Sequence, residues 1–163
     1  MSIHTHMETY LSASTVSTFV KKAKSLGRSY LAYTDYSLMT SAFKFYKEAK
    51  SNGIKPVVGV ELMFFDNDDI ACQKAGGKYY PISVYVKDFE AYKALISLSS
   101  RRKEFYTTKL DDKLPLYNWK DLESLRGKNV EIAIGGHMSL PYRLKVKGSS
   151  TLIVPFKIGR AHV

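Results

Sequence analysis

The order of apolar segments along the chain constrains its fold more than any other feature. Short apolar runs with the length and residue types of β-strands alternate with stretches in which apolar residues recur at helical spacing. Repeated strand–helix units are typical of a parallel sheet, which right-handed crossovers close into a barrel or wind doubly. The predicted strands end near residue 6 and cover residues 30–35, 55–65, 79–86 and 130–134, and a short helical pattern covers residues 116–125.

Local signals place the ends of the predicted helices. Ser14 and Thr15 are suited to cap the first helix, Gly27 to end it, and Asp88 to cap the third. The 12 Tyr and 8 Phe residues mostly follow helix and strand periodicity, which favours core packing over stacking on nucleic-acid bases. The predicted inward faces consist of Val16, Phe19, Val20, Ala23 and Leu26; of Ala42, Phe45, Tyr46 and Ala49; and of Phe89, Tyr92, Leu95 and Ile96.

Five polar residues fall at or just after the carboxyl ends of predicted strands: His4, His6, Asp35, Glu61 and His137. In a βα barrel these ends converge on one mouth, where functional sites form. The arrangement therefore favours a barrel over a doubly wound sheet. Because such a barrel usually needs about 200 residues or more, this chain of 163 residues is predicted to hold an incomplete one.

The same residues are candidates for metal binding. His4 and His6 are two residues apart, so on an extended segment both imidazoles point the same way and can bind one metal ion or two adjacent ones. Imidazole suits zinc, manganese and iron, although this short pattern is also common by chance. Asp35 and Glu61 offer oxygen ligands or a general base. Taken singly, Asp35 is better explained as a helix cap or turn residue and Glu61 as an exposed charge; the convergence of all five residues favours ligands.

The charge of the chain favours a polyanionic partner such as nucleic acid, because 25 Lys and Arg residues outweigh 15 Asp and Glu residues to give +10. The densest basic group contains Arg101, Arg102 and Lys103, with Lys109 and Lys113 nearby. It is suited to contact phosphates, and a plain exposed loop is an alternative of at least equal weight. The single cysteine, Cys72, favours a reducing, cytoplasmic setting. Neither a signal peptide nor an apolar run of membrane-spanning length is predicted, so no membrane partner is expected.

Several segments carry a likeness to a known family. Residues 3–6 read IHTH, residues 45–61 read FYKEAKSNGIKPVVGVE, and residues 89–100 read FEAYKALISLSS. With residues 31–35 and 132–136, these segments resemble PHP (polymerase and histidinol phosphatase) domains. The two long segments are similar to those of bacterial- or phage-type DNA polymerase III alpha subunits in particular.

The resemblance implies a PHP-type distorted (β/α)7 TIM-like barrel, incomplete here, with two or three metal ions at its mouth. Zinc or manganese is the metal expected there, and Mg²⁺ is expected for polymerase domains outside this chain. Where the cluster is intact, such a domain is a phosphoesterase, and in some members a 3′–5′ exonuclease, in which metal-bound hydroxide attacks phosphorus. The implied partners are DNA and, through a full-length protein, a proofreading exonuclease and a sliding clamp.

The chain departs from the family at several ligand positions. Residues 10–14 lack the family's aspartate, the family's T-D-H appears as Thr34-Asp35-Tyr36, and a further histidine aligns with Pro81. His137 falls where the family often has Cys or His. The remaining expected ligands are His4, His6, Asp35, Glu61 and His137. The resemblance therefore implies partial metal binding, and members with degenerate clusters act as scaffolds and docking surfaces.

The sequence is compatible with three functions. The first is the N-terminal scaffold domain of a replicative polymerase, the second a stand-alone metal-dependent phosphoesterase or 3′–5′ exonuclease, and the third a binding module that uses its basic surface. Residues 1–156 are predicted to form the PHP domain. Residues 157–163 read KIGRAHV, which matches a translated sequencing adapter and is predicted to be a non-native tail, with an ordinary basic tail as the alternative.

Overall fold

The protein is a mixed α/β structure, as predicted. A computed structural model describes residues 2–3, 14–65, 80–100 and 116–134, which form a six-stranded sheet packed against helices. The strands are β1 (Ser2–Ile3), β2 (Tyr30–Tyr36), β3 (Lys55–Phe64), β4 (Tyr80–Val86), β5 (Leu116–Tyr117) and β6 (Val130–Ala133). The helices are α1 (Val16–Ser25), α2 (Ala42–Ser51), α3 (Phe89–Ser100) and α4 (Trp119–Leu122), which a 3-10 turn over Glu123–Leu125 continues. Within these ranges no helix is long and apolar enough to cross a membrane.

The direction of the strands differs in part from the prediction. The sheet order is β1-β2-β3-β4-β6, with β5 beside the end of β3. Strands β1, β2 and β3 are parallel, but β4 is antiparallel to β3 and β6 is antiparallel to β4. Phe64 and Tyr80 are register partners, so β4 begins at the edge where β3 ends. A parallel pair would need a crossover to the opposite edge, so the prediction of an all-parallel sheet is wrong for β4.

The two faces of the sheet differ in chemistry. The face that carries Tyr33, Val60 and Ile82 is buried against the helices and forms the core. An aromatic contact joins the sheet to a helix in this core, because Tyr33 stacks on Phe45 of α2 with ring centroids 5.3 Å apart. Because side chains alternate along a strand, the intervening residues project from the opposite, more polar face.

Helix ends follow the local signals. Thr15 caps α1 by accepting a hydrogen bond from the Thr18 amide, and the Asp88 carboxylate accepts one from the Ala91 amide at 2.8 Å. Gly27 has a φ of +65° after α1, the left-handed conformation that glycine adopts most easily. The predicted helix over residues 116–125 is wrong at its start, because Leu116–Tyr117 pairs with β3 as a short strand.

Three residues predicted to face inward lie at the surface instead. Leu26 is 55% exposed, Tyr46 41% and Phe89 68%. Phe89 precedes the buried Ala91 by two residues, which at about 100° per residue places it on the far side of α3. The inward prediction for these three residues is therefore wrong, and two of the exposed rings belong to the groove discussed below.

Candidate functional site

Three polar side chains form a row across three adjacent strands. Tyr36 of β2 is the register partner of Glu61 of β3, and Glu61 is the register partner of Ser83 of β4. Register partners project from the same face, and neighbouring strands lie about 4.8 Å apart. All three residues are half-buried. This polar row (Tyr36, Glu61 and Ser83) therefore presents a phenol, a carboxylate and a hydroxyl on the face away from the core.

Asp35 lies at the same end of the sheet as Glu61 but on the other face. It is fully buried, and the Tyr33 hydroxyl donates a hydrogen bond to its Oδ2 at 3.0 Å. Its register partner is Val60, a core residue. The two predicted carboxylate ligands therefore project from opposite faces of the sheet. Helix α2 has Ser41 at its N-cap position, so Asp35 does not cap that helix.

Ser37 supports the backbone beside Glu61, and sequence reasoning missed it. Its amide donates to the Glu61 carbonyl at 2.8 Å, and its carbonyl accepts from the Ser99 hydroxyl of α3 at 2.8 Å. The residue is 2% exposed and has a φ of +55°, which is unfavourable for a residue with a Cβ. Within the described part of the chain its own hydroxyl has no hydrogen-bond partner. No local signal predicts this conformation.

Gly59 sets the distance between β3 and β4 beneath the polar row. A Cβ at this position would lie 2.5 Å from the Val84 carbonyl oxygen and 2.8 Å from Cδ1 of Tyr85. Both distances are shorter than real Cβ contacts, and the first involves rigid backbone. Glycine therefore allows the close approach that holds Ser83 beside Glu61.

The predicted histidine ligands follow strands that end near this row. Ile3, the last residue of β1, is the register partner of Tyr33, and Ala133, the last residue of β6, is that of Ser83. In the described ranges no group of three His, Cys, Asp or Glu side chains is placed to hold a metal ion. The metal and phosphate roles of the following residues stay predictions because they lie outside the described residues: His4, His6, His137, Arg101, Arg102 and Lys103.

The donor set of the polar row fits one side of a metal site. Glu61 offers carboxylate oxygens that suit zinc and manganese. Tyr36 and Ser83 offer neutral oxygens, which are weaker ligands. Zinc in proteins usually takes three or four protein ligands, so metal binding at this row requires further donors, and the predicted histidines are the candidates.

A comparison with known families decides what this fold is. A family model for the PHP domain matches residues 1–153. The chain belongs to the PHP domain family. The PHP-type fold expected from the sequence resemblance is therefore confirmed.

Curated relatives of this PHP domain include replication proteins. It is 32% identical over 122 residues to DNA polymerase III subunit alpha of Treponema pallidum, which is 70% of this chain and 10% of that protein. It is 34% identical over 104 residues to the same subunit of Borreliella burgdorferi, 60% of this chain and 9% of that protein. The chain thus spans about a tenth of the length of these relatives.

Solved structures show a more distant likeness. An amidohydrolase from Chromobacterium violaceum, with bound sulfate and no metal, superposes with a TM-score of 0.48 at 19% identity. The match covers 63% of this chain and 32% of that chain.

Proposed function

We propose that this PHP domain serves in DNA replication as the N-terminal scaffold and docking domain of a DNA polymerase III alpha-type protein. The similarity to the alpha subunits of Treponema pallidum and Borreliella burgdorferi is the observation that carries this proposal. The partners proposed for the full-length protein are DNA, a proofreading exonuclease and a sliding clamp, and its polymerase domains would use Mg²⁺. The proposed compartment is the cytoplasm.

The composition of the polar row supports a scaffold role over hydrolysis. Tyr36 aligns with a histidine of the family and stands beside Glu61 as its register partner. Pro81, which aligns with a second family histidine, lies on the same face two residues from Ser83 and has no side chain able to bind a metal. Losing two imidazoles next to the carboxylate lowers the affinity of the site for metal ions.

Metal binding at this row is proposed to be partial. Glu61 would hold zinc or manganese together with His4, His6 and His137. Asp35, the fifth predicted ligand, projects from the other face of the sheet and is left out of this proposed set. A bound metal of this kind supplies Lewis-acid stabilisation and an activated water. The residues of the chain supply the fixed carboxylate, whose position depends on the Ser37–Glu61 backbone hydrogen bond and on the close β3–β4 approach at Gly59.

Restoring one imidazole tests the reduced metal site. We expect Tyr36→His to strengthen Mn²⁺ or Zn²⁺ binding by at least about tenfold in calorimetric titration, since even groups that only orient a metal ligand are worth 10–100-fold. The matched control is Tyr30→His, at the opposite end of the same strand and 61% exposed. Equal affinities for the parent chain and Tyr36→His would contradict the assignment of the polar row as a metal site.

Activity measurements separate the scaffold from the alternative enzyme. The parent chain, incubated with Mn²⁺ or Zn²⁺, is expected to show no turnover of bis(p-nitrophenyl) phosphate and no shortening of a 5′-labelled single strand. Turnover that Glu61→Gln abolishes and the exposed Glu131→Gln leaves intact would overturn the scaffold proposal and establish a metal-dependent phosphoesterase or 3′–5′ exonuclease.

The extent of the domain is also a proposal. We assign residues 1–156 to the PHP domain and residues 157–163 to a non-native tail. Removing residues 157–163 is expected to leave the melting temperature unchanged. Resequencing the source DNA across the Lys157 codon is expected to show a different, open reading frame that continues into polymerase motifs; a stop codon soon after the domain would favour the stand-alone phosphoesterase.

A further inference from the structure

A groove on the helical side of the sheet has no role in the proposed metal site. It has a volume of about 350 Å³ and lies between the first half of α2 and the start of α3. Its floor contains Ala42, Pro56 and Val58. Val58 is a core residue on the face opposite Glu61, so the sheet separates the groove from the polar row.

Aromatic rings form the rim of this groove and are unusually accessible. Phe43 is 65% exposed, Phe89 68% and Tyr46 41%. In the described ranges these three rings are the exposed large apolar side chains of the groove, whereas Val86 and Tyr92, which also line it, are half-buried. Exposed apolar side chains gathered around one groove mark a binding surface more often than single scattered ones do. We name it the aromatic groove (Phe43, Tyr46 and Phe89 above the floor residues).

A lysine ammonium lies over each ring of the rim. The ammonium of Lys47 lies 5.5 Å from the centre of the Phe43 ring, that of Lys50 5.1 Å from Tyr46, and that of Lys93 5.3 Å from Phe89. Lys93 also pairs with Glu90 at 2.6 Å. Neither Lys47 nor Lys50 forms a salt bridge with another described residue, and both are exposed. Asp88 also lines the groove, and its carboxylate caps α3. The charges of Lys47 and Lys50 outweigh this carboxylate, so the rim keeps positive charge for an anionic partner.

We propose that the aromatic groove binds single-stranded nucleic acid. Unstacked bases would stack on the exposed rings of Phe43 and Phe89, and Phe89 is itself stacked on Tyr92 of the groove with centroids 6.2 Å apart. The ammonium groups of Lys47 and Lys50, which lie beside the rings of Phe43 and Tyr46, would contact the phosphates. This combination of stacking rings and a basic track is how proteins bind single strands without sequence preference. An acidic amphipathic helix would also complement the positive charge of the lysines. Grooves that bind such helices, however, offer a continuous apolar trough, whereas the exposed apolar surface here consists of separate rings.

Substitutions that keep the apolar character and remove only the aromatic plane test this proposal. The full chain is titrated into a fluorescein-labelled oligo(dT) and binding is followed by anisotropy. We expect Phe43→Leu and Phe89→Leu each to raise the Kd at least about fivefold, because each substitution removes the stacking free energy of one base on one ring. The matched control is Tyr30→Leu, a ring that is 61% exposed and outside the groove, and it should bind like the parent chain.

The salt dependence of DNA binding tests the contribution of Lys47 and Lys50. The double variant Lys47→Gln/Lys50→Gln is expected to reduce the slope of log Kd against log salt concentration by about 1.4, because single strands release about 0.7 counterion per phosphate contact. The control is Lys21→Gln/Lys22→Gln on α1, which removes the same charge from exposed positions away from the groove. It should lower the slope by less than half as much.

Three results would overturn the proposal: no binding of oligo(dT) by the parent chain, equal binding by the leucine variants and the parent, or equal loss in Tyr30→Leu. Unchanged DNA binding by the leucine variants, together with binding of a labelled acidic amphipathic peptide that the same variants weaken, would assign the groove to a protein partner instead. Oligo(dT) binding should be the same with and without EDTA, which removes bound metal, so the result stands apart from the proposed metal site. Thermal melts of every variant confirm folding, which these exposed positions should preserve.

Discussion

Replacing Ser37 by glycine should stabilise the protein, although it lies beside the candidate site. Ser37 combines a positive φ with a buried hydroxyl that has no partner in the described part of the chain. The left-handed conformation costs a non-glycine residue about 1–2 kcal/mol, and an unsatisfied buried hydroxyl costs about 1–3 kcal/mol. Against these gains, glycine lowers the free energy of unfolding by about 0.5–1 kcal/mol, because it increases the conformational entropy of the unfolded chain.

The net gain for Ser37→Gly is therefore about 2 kcal/mol. Both backbone hydrogen bonds of Ser37, to Glu61 and from Ser99, remain available to glycine. For a chain of this size, about 2 kcal/mol corresponds to a rise in melting temperature of roughly 4–8 °C. Urea denaturation followed by circular dichroism measures the free energy directly.

Ser37→Ala separates the two contributions, because it removes the hydroxyl and keeps the Cβ in the strained conformation. We expect it to gain about 1 kcal/mol, half of the glycine effect. A glycine variant that is no more stable than the alanine variant would refute the strain argument. A loss of stability in both the glycine and the alanine variant would mean that the Ser37 hydroxyl forms a hydrogen bond, which would contradict its assignment as an unsatisfied group.

Three further substitutions have expected outcomes. Gly59→Ala should lower the free energy of unfolding by about 1–3 kcal/mol or more, because the new Cβ meets the Val84 carbonyl; a urea midpoint equal to that of the parent chain would contradict the close approach. Tyr33→Phe should cost about 1–3 kcal/mol by removing the donor to buried Asp35, and thermal melting checks this against the exposed Tyr30→Phe. Asp88→Ala should cost about 1 kcal/mol through the lost cap of α3, while Asp88→Asn, which keeps the acceptor, should recover most of it.

Local chemistry allowed much of the fold to be predicted. The caps at Thr15 and Asp88 and the turn at Gly27 depend on residues within one helical turn, so the sequence alone indicates them. The direction of β4 depends on which edge the chain returns to, which no local pattern encodes. The exposure of Tyr46 likewise depends on whether a neighbouring element covers it, and periodicity alone does not decide that.

The candidate site was predictable only as a position along the chain. Asp35 and Glu61 were both placed near strand ends, and both lie there. Which face each carboxylate occupies follows from the pairing of β2 with β3, in which Asp35 meets Val60 and Glu61 meets Tyr36. The strained Ser37 was missed because its φ is imposed by contacts to β3 and α3, 24 and 62 residues away in the sequence.

Strand β3 serves two surfaces at once, with consecutive residues assigned to opposite sides of the sheet. Inserting or deleting a single residue before Glu61 would turn the carboxylate into the core and bring an aliphatic side chain to the polar face. Adding or removing two residues would keep the alternation and shift only the height of the carboxylate along the sheet. The strand should therefore accept length changes in pairs far better than single ones, which makes its residue count, and not only its residue types, a requirement for both folding and function.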